Sequence, residues 1–561
     1  MKLRERYEIL RDAERKRHPG LPGSPEGRAR VALCYPNRYL VGMANLGFQA
    51  VWSLLGSHPP AGHSQVHCDR LFLPEEDDWG PLKEGREELR TLDAFYPARE
   101  AHVIAFAVSF ESDYLHVLSM LKMMGLPLRR EERGPSDPIL LAGGIGPTLN
   151  PGALAPFFDV IYLGEFEPQA LEFAGLLHGL SMGSLSKKEF LERLRPEKGW
   201  LVSGRGDAAH PQRHEEFEKA PAWSEVLTPH SEFPNRVLIE LERGCPFSCR
   251  FCAAGYAYGA SRRHSLDALK KIIDEAVSIF GSGTGEPLSF GLIGGALTEY
   301  KWIVPLAKYI VEEKGCKFSL SSMRLKRMDP ALLSLLVRSG QRQVTIAPET
   351  GSERLRAVIK KNYSDAEVLE SVRLAVQAGL LNVKLYSMVG LPTETDADVD
   401  ALLDLARRCR QVMVEAAKAR GARPGEIILS VGPFVPKPGT PFERAPFCEP
   451  KILEARYERL REGLRRESNM DLRTEGIRGA YLETFLSRLS EEDAPLLLEL
   501  HERIWKGESA GKALRALGEQ IVPKVLGSAE GDFSWKTVQD ERTRARLARE
   551  WKAAQEGRIT A

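Results

Sequence analysis

Three cysteines stand within eight positions of one another in the middle of the chain, at Cys245, Cys249 and Cys252. Cysteine thiolates are the usual protein ligands of iron–sulfur clusters. A loop that supplies three thiolates can hold three irons of a cubane and leave the fourth iron open. An open coordination position separates catalytic metal sites from closed structural ones. The spacing C-x3-C-x2-C therefore predicts a 4Fe–4S centre with one iron free to bind a further molecule.

A structural zinc site is the alternative for the same cysteines. Zinc normally takes four ligands from paired C-x2-C segments, and the chain contains no second pair of this kind. The fourth ligand would have to be His264 or a distant residue. The other five of the eight cysteines are scattered and are interpreted as small buried side chains. The cluster interpretation is therefore favoured.

The cysteines must be positioned by the elements around them, and these alternate between strands and helices. In the predicted helix Leu266–Phe280, for example, apolar residues recur every three to four positions. Six such βα units predict an open or partial barrel, in which the chemistry collects at the carboxyl ends of the strands. The predicted strands are 236–241, 288–293, 317–321, 343–347, 382–388 and 426–432.

A second alternation of strands and helices precedes the barrel and predicts a parallel sheet of the flavodoxin or Rossmann type. Its strands are expected at 31–35, 66–73, 103–109, 139–142 and 160–163. No strand signal follows Pro450. The expected organisation is a helical extension at 1–29, an α/β domain at 30–180, a linker at 181–232, a (β/α)6 barrel at 233–445 and a helical region at 446–561.

Composition narrows the classes of function. A chain of 561 residues suggests two to four domains. With 78 basic and 77 acidic residues, a formal net charge of +1 gives no electrostatic case for nucleic-acid binding. The sequence contains no apolar run of about 18 residues, so no membrane span is expected. The charged N-terminus lacks the apolar core of a secretory signal, and a cytoplasmic protein is expected.

The cysteine loop, with the aromatic Phe251 before its last cysteine, resembles the signature of the radical S-adenosylmethionine superfamily. The resemblance implies that the open iron is chelated by the amino and carboxylate groups of S-adenosylmethionine. It also implies that an electron from the reduced cluster cleaves the sulfonium and yields a 5′-deoxyadenosyl radical. An electron donor such as a flavodoxin or ferredoxin would be the partner.

Segments at later strand ends extend the resemblance. Gly294-Gly295 is similar to the glycine-rich motif that holds the methionyl amino group, although Ala296 follows where the family has an acidic residue. Two further segments, residues 321–324 and 347–351, resemble the "SLR" and "APE(T/A)G" motifs of one branch of the superfamily. Members of that branch carry an N-terminal cobalamin-binding-like domain. The S-adenosylmethionine contacts that the resemblance implies are Phe251, Gly294, Gly295, Ser322, Arg324 and Glu349.

The fifth and sixth strands end in segments that are similar to the same branch. Residues 384–395 resemble "KLYFMIGLPTET", and residues 433–442 resemble "PFVPKPHTPF", whose prolines suit a rigid lid or a domain join. Lys384 and Tyr386 are the candidate catalytic side chains. A desolvated lysine within a strand can act in catalysis. Lys384 can equally form a structural ion pair with Glu349, and both roles stay open.

The N-terminal domain resembles a cobalamin-binding-like domain. The candidate cobalamin contacts are Asn37, Ser109, Gly143 and Gly144, and residues 164–167 match the "GEGE" segment. The loop after the first strand lacks Asp-x-His-x-x-Gly, so no lower axial histidine is expected there.

If cobalamin is bound, the natural reaction is methyl transfer to an unactivated carbon. The alternatives are a cobalamin-free radical cyclisation, rearrangement or other bond formation, and a non-catalytic iron–sulfur electron carrier or sensor. The substrate is not specified.

Overall fold

Two largely parallel sheets, both covered by helices, organise the chain and are followed by a helical region. The computed structural model describes residues 2–56, 66–219, 221–281, 285–320, 323–528, 535 and 538–558. This arrangement confirms the predicted fold class. All eleven predicted strands are present, with ends that differ by one or two residues; residue 321 of the predicted strand 317–321 lies outside the described residues.

The first sheet contains six strands in the order β2-β1-β3-β4-β5-β6. The first five strands along the chain are parallel, and β6 is antiparallel to β5. This is the flavodoxin-like order, whose switch point lies between β1 and β3 and marks the usual ligand position. The strands are β1 Ala29–Tyr35, β2 Val66–Phe72, β3 Val103–Ala107, β4 Ile139–Gly143, β5 Val160–Tyr162 and β6 Trp200–Val202.

Two expectations about the regions flanking this sheet need correction. The segment 181–232 is not a simple linker, because β6 lies within it and pairs with the sheet. The N-terminal extension is tied to the same segment, since Arg15–Lys16 pairs antiparallel with Val226–Leu227. Strands of only two or three residues are too short to show a periodic signal, which explains why the sequence pattern did not reveal them.

The second sheet forms the partial barrel. Its two halves have the orders β9-β8-β7 and β10-β11-β12-β13, and every pairing in them is parallel. A bridge between Met323 and Ile346 joins the halves. The strands are β7 Arg236–Glu240, β8 Ser289–Ile293, β9 Lys317–Leu320, β10 Gln343–Glu349, β11 Asn382–Val389, β12 Ile427–Pro433 and β13 Met470–Thr474.

The seventh barrel strand, β13, corrects the expectation of no strand after Pro450. It pairs with β12 over residues 470–474 and carries no fully buried residue. A sheet-edge strand without a buried face lacks the alternation of apolar and polar residues that identifies strands from sequence. The barrel sheet therefore continues past the boundary expected at residue 445.

Helices cover both sheets and build the C-terminal region. No helix among the described residues is both long enough and apolar enough to cross a lipid bilayer. The helices of at least eight residues are Leu3–Asp12, Leu46–Gly56, Asp113–Met123, Ala170–Ser181, Leu266–Phe280, Pro330–Arg338, Asp365–Ala378, Asp396–Ala419, Pro450–Leu464, Ile477–Ser487, Ala494–Trp505, Ala510–Leu517 and Glu541–Gln555. Shorter helices include Ile145–Leu149, Lys187–Arg193, Ala254–Ala257, Ile303–Lys308, Glu353–Val358 and Val522–Leu526.

Candidate active site

The loop that carries the three cysteines follows β7 and is closed at its base by a short backbone pairing. Glu242–Arg243 pairs antiparallel with Arg262–Arg263. Gly244 comes next with a φ of +84°, and a Cβ atom there would lie 2.7 Å from the carbonyl oxygen of Gly259. Only glycine fits a position that combines a left-handed backbone with so close an approach. The turn therefore fixes where the cysteine loop begins.

The thiols of Cys245, Cys249 and Cys252 lie close enough to influence one another's titration. Burial raises the pKa of each thiol, and a neighbouring cysteine raises it further. Lys361 lowers the pKa of Cys249 and Cys252. Arg324 lowers that of Cys245 and Cys249. The two cations offset part of the effect of burial on the pKa of the thiols, and three cysteines on one loop are the donor set that an iron–sulfur cluster takes.

His264, the fourth ligand that a zinc site would require, is engaged elsewhere. Its ring stacks on Phe217 with the centroids 4.0 Å apart. Burial lowers the pKa of His264 to about 4. In the described part of the chain, no three His, Cys, Asp or Glu side chains are grouped as a single metal ion requires. A cubane cluster is larger than one ion and spaces its ligands more widely.

The glycine pair that ends β8 packs directly against the cysteine loop. A Cβ atom on Gly295 would lie 2.8 Å from the carbonyl oxygen of Gly244 and 3.4 Å from the Cβ atom of Cys245. Gly294 lies against Glu242, which is buried and accepts hydrogen bonds from the Ala296 amide and from Arg263. The two glycines thus let the strand end and the loop approach closely. Their contact with the methionyl group stays a prediction.

Arg324 lies beside the cysteine loop, and its contact with S-adenosylmethionine stays a prediction. Its guanidinium carbon is 3.3 Å from the centroid of the Phe247 ring and 5.3 Å from that of Tyr363. The Nε atom lies 3.8 Å from a Glu299 carboxylate oxygen. The buried hydroxyl of Tyr363 has no hydrogen-bond partner among the described residues. This hydroxyl, which the sequence pattern did not single out, is available to a ligand at the barrel mouth.

Glu349 pairs with Lys361 rather than with Lys384, which corrects the ion pair expected from the sequence. Lys361 donates a hydrogen bond from Nζ to Glu349, and both charges act on Cys249 and Cys252. Lys384 instead donates to the Tyr386 hydroxyl over 3.1 Å. Glu349 has a φ of +69° next to a break in the β10–β11 register, which turns its side chain out of the regular strand pattern. No periodic pattern in the sequence reveals such a pairing.

Phe251 and Ser322 are two other residues predicted to contact S-adenosylmethionine. Phe251 packs beside an apolar cluster that includes Phe434, Phe442 and Trp551. Ser322 lies outside the described residues. The role of Phe251 and of Ser322 in binding S-adenosylmethionine therefore stays a prediction.

The inner, concave face of the barrel sheet carries polar side chains among apolar ones such as Leu238 and Ile428. Along β11, Val383, Leu385 and Val389 are buried in the core beneath the helices, whereas the alternate residues are less buried. Tyr386 remains 39% exposed. Because successive strand residues point to opposite faces, the alternate residues line the concave side. By the same alternation and strand register, this face carries Arg236, Ser319, Thr345, Lys384, Tyr386 and Ser430.

The predicted cobalamin contacts lie at the carboxyl edge of the first sheet. Asn37 donates to a carboxylate oxygen of Asp113 over 2.9 Å, and the Ser109 hydroxyl accepts from Asn45 over 3.1 Å. Gly144 has a φ of +102° and approaches the Val108 carbonyl so closely that a Cβ atom would lie 2.6 Å from it. A Cβ atom on Gly143 would lie 3.9 Å from the Tyr162 carbonyl oxygen, an ordinary van der Waals contact. The edge is therefore tightly built at Gly144 and has room for a side chain at Gly143.

This edge meets the cysteine loop. Glu165, in the segment that resembles "GEGE", forms ion pairs with Arg262 and with Arg243, the residue next but one before Cys245. The short helix Ile145–Leu149 also contacts the helix Ala254–Ala257. The two domains are therefore joined at the cysteine loop itself.

A second joint involves the proline-rich segment after β12. Lys437 donates from Nζ to Glu111 over 2.7 Å and to Glu483 over 2.5 Å. These contacts connect the barrel to the first domain and to the helix Ile477–Ser487. They are consistent with the domain join predicted for this segment.

A loop with three cysteines at the mouth of a partial parallel barrel is the arrangement expected of an iron–sulfur enzyme. Two family models match the chain: "Radical SAM proteins, N-terminal" over residues 47–202 and "Radical SAM superfamily" over residues 239–406. The chain belongs to the radical S-adenosylmethionine superfamily and is an enzyme. Its cofactors are accordingly a 4Fe–4S cluster and S-adenosylmethionine.

Two relatives differ in how much of the chain they share. "Uncharacterized protein MJ0966" of Methanocaldococcus jannaschii is 27% identical over 91% of this chain and 98% of its own length. The threonylcarbamoyladenosine tRNA methylthiotransferase MtaB of Aquifex aeolicus is also 27% identical, but over 39% of this chain and 50% of its own length. A solved structure of the cobalamin-dependent S-adenosylmethionine radical enzyme OxsB is 13% identical in sequence and has a TM-score of 0.48. The match covers 100% of this chain and 90% of the OxsB chain.

Proposed function

We propose that this radical enzyme transfers a methyl group to an unactivated carbon and that its N-terminal domain holds cobalamin for that purpose. The observation that carries the proposal is the contact of Glu165 with Arg243 and Arg262. In open α/β sheets, ligands bind outside the carboxyl ends of the strands. A ligand at this edge of the first sheet would therefore lie next to the cluster loop.

The residues at that edge suit a large ligand. Gly143 leaves room for a side chain, and the loop after β3, next to the switch point, contacts the barrel through Glu111 and Lys437. When bound, cobalamin would supply a methyl carrier, and the cluster would supply the electron that cleaves S-adenosylmethionine. The protein's own contribution is to hold both at one mouth and to present a substrate there.

We propose that His116 would help to hold cobalamin at this edge. Its Nδ1 atom lies 3.0 Å from the Pro36 carbonyl oxygen and 3.2 Å from a carboxylate oxygen of Asp113. Both oxygens accept hydrogen bonds, so the proton of a neutral imidazole belongs on Nδ1 and the lone pair on Nε2. Metal-binding histidines are commonly oriented in this way by a carboxylate or carbonyl partner. An imidazole that helps to hold cobalamin would thus come from the helix after β3, not from the loop after β1.

The substrate, in this proposal, lies on the concave face of the barrel. Within the described part of the chain, Lys384 and Arg236 have no carboxylate partner. Burial lowers the pKa of Arg236, which shows that no acidic group compensates its charge. Unpaired cations on a concave surface favour a substrate with an anionic or strongly polar group.

An external electron donor completes the proposal, because no second cluster of cysteines occurs in the chain. The five cysteines outside the loop are spread from Cys34 to Cys448, and all eight cysteines are free thiols. A flavodoxin or ferredoxin in a reducing compartment such as the cytoplasm would meet this need.

Anaerobic reconstitution tests the proposal. With reductant and S-adenosylmethionine, the reconstituted protein should form 5′-deoxyadenosine and, with cobalamin present, S-adenosylhomocysteine. Protein expressed with a cobalamin supply should show corrinoid absorption after purification. If 5′-deoxyadenosine forms while the protein stays free of cobalamin, methyl transfer is ruled out in favour of a cobalamin-free radical reaction. If neither product forms with an intact cluster, the proposed reaction is wrong.

A further inference from the structure

Arg250, which lies between two of the cluster cysteines, is fully buried and held by the far end of the chain. Its Nε atom donates to Glu550 over 3.0 Å, and a terminal nitrogen donates to the Arg558 carbonyl over 3.0 Å. The other terminal nitrogen donates to the Val358 carbonyl over 2.7 Å. Glu550 belongs to the helix Glu541–Gln555, some 300 residues away in sequence. The C-terminal helix therefore reaches into the cysteine loop.

Glu550 also binds the turn that carries the cation beside the thiols. Lys360 donates to the second carboxylate oxygen of Glu550 over 3.2 Å, and the Glu550 side chain is 7% exposed. The next residue is Lys361, which pairs with Glu349 at the barrel mouth. One buried carboxylate thus links the cysteine loop and the Lys360–Lys361 turn.

Apolar and aromatic contacts reinforce this link. Ala554 is fully buried in the apolar cluster that Phe251 also joins, and Trp551 meets Phe442 with ring centroids 5.8 Å apart. The guanidinium of Arg546 lies 5.1 Å from the centroid of the Tyr256 ring.

Tyr256 in turn donates to the Ser248 carbonyl over 3.1 Å, directly before Cys249. The backbone of the loop is bound on the same side, since the Arg250 amide donates to the Ile359 carbonyl and the Arg250 carbonyl accepts from Phe442. These contacts fix the stretch of loop from Ser248 to Cys252.

We propose that the helix Glu541–Gln555 is a clasp on the cluster site, and that Glu550 is a positioning residue that sets the geometry of Cys249 and Cys252 through Arg250. The inference rests on the three cysteines being the cluster ligands. A buried arginine that loses its carboxylate partner must find water or move. Because Arg250 is flanked by Cys249 and Cys252, its movement displaces thiolates.

The test uses full-length Glu550→Gln, with Glu541→Gln as the matched control on an exposed part of the same helix. Both variants and the parent are reconstituted anaerobically. Iron loss to a chelator is timed, the reduced cluster is compared by EPR with and without S-adenosylmethionine, and the melting temperature of the cluster-free chain is measured. We expect Glu550→Gln to lose iron at least about tenfold faster and to show an altered EPR spectrum, while the melting temperature stays near that of the control.

Equal iron loss and identical spectra for the two variants would overturn the clasp. So would a fall in the melting temperature large enough to account for the iron loss, since that indicates general destabilisation. If Glu550→Gln does not fold, Arg546→Ala tests the same helix through Tyr256 by the same measurements. If the parent binds the cluster and the variants behave as the parent does, only the clasp is rejected. If the parent itself binds no cluster, the assignment of the three cysteines as ligands is rejected.

Discussion

Lys361 donates a hydrogen bond to Glu349, and this ion pair lies beside Cys249 and Cys252. The side chains of the pair are only 10% and 14% exposed, so little water screens them from the thiols. Lys361 lowers the pKa of both cysteines, and Glu349 raises it. The pair therefore balances charge next to the cluster ligands.

Replacing Lys361 with methionine should make the cluster harder to reduce. Loss of a cation near an anionic centre destabilises the added electron, and the reduction potential should fall on the order of tens of millivolts. EPR-monitored redox titration measures the change. Lys418→Met, an exposed charge at the end of the helix Asp396–Ala419, serves as the control and should leave the potential unchanged.

The double variant Glu349→Gln/Lys361→Met distinguishes charge from packing. It removes both members of the pair, so its potential should return toward that of the parent. If the double variant has as low a reduction potential as Lys361→Met alone, the balance of charge is not the cause of the lowered potential.

The joint at Glu165 predicts a pH-dependent contribution to stability. Burial raises the pKa of Glu165, but Arg262 and Arg243 outweigh it, and the net pKa lies below the ordinary glutamate value. Since this pKa is lower in the folded than in the unfolded chain, the joint stabilises above the unfolded value of about 4.3. The stabilisation is lost as the pH falls through the folded value.

Glu165→Gln should therefore lower the free energy of unfolding at pH 7 by about 2 kcal/mol, and by less at pH 4. Thermal melts at the two pH values check this. Glu172→Gln is the control, because Glu172 pairs with Lys198 in an exposed position and should change neither melt. An equal loss at both pH values would exclude the titration of Glu165 as the source of the pH dependence.

The sequence predicted those parts of the fold that depend on local pattern. Strands such as β1 and β12 are buried along most of their length, and that burial favours largely apolar runs. The cysteine spacing is equally local, since one short loop supplies all three thiols. These features required no knowledge of which elements meet in space.

What the sequence could not give are pairings between distant residues. Arg250 and Glu550 are 300 positions apart, and neither stands in a recognisable motif with the other. Lys361 follows a residue in the left-handed region, Lys360, in a turn that has no sequence signature. The Lys384–Glu349 pair, one of the two roles left open for Lys384, is not formed, because the Lys360–Lys361 turn brings Lys361 to Glu349 instead.

Gly295 provides a steric test of how closely β8 must approach the cysteine loop. A Cβ atom there would lie 2.8 Å from the Gly244 carbonyl oxygen, which belongs to rigid backbone. Gly295→Ala should push the loop away from the strand end and reduce the iron content after reconstitution to about half or less, as expected for an overpacked site. Iron and sulfide assays measure this.

Gly479→Ala is the matched control, since a Cβ atom at Gly479 would meet nothing within 4 Å and lies in the helix Ile477–Ser487. Alanine there should leave the iron content unchanged and slightly favour the helix. A Gly295→Ala protein with full iron content would show that the loop can shift without losing the cluster.

The hydrogen bonds of His116 give the cobalamin proposal a spectroscopic test that needs no substrate. With Nδ1 protonated toward Pro36 and Asp113, the lone pair on Nε2 is free to approach cobalt. Protein loaded with cob(II)alamin should show nitrogen superhyperfine splitting that changes from a triplet to a doublet when the histidines are labelled with nitrogen-15. His116→Ala should abolish the label dependence, whereas His230→Ala, an exposed histidine, should preserve it.

Asp113→Asn should weaken the splitting, because an amide holds the Nδ1 proton less firmly than a carboxylate does. A spectrum that is insensitive to the histidine label in the parent protein would remove His116 as a cobalt ligand and would leave the glycines of the first sheet's edge as the proposed cobalamin contacts.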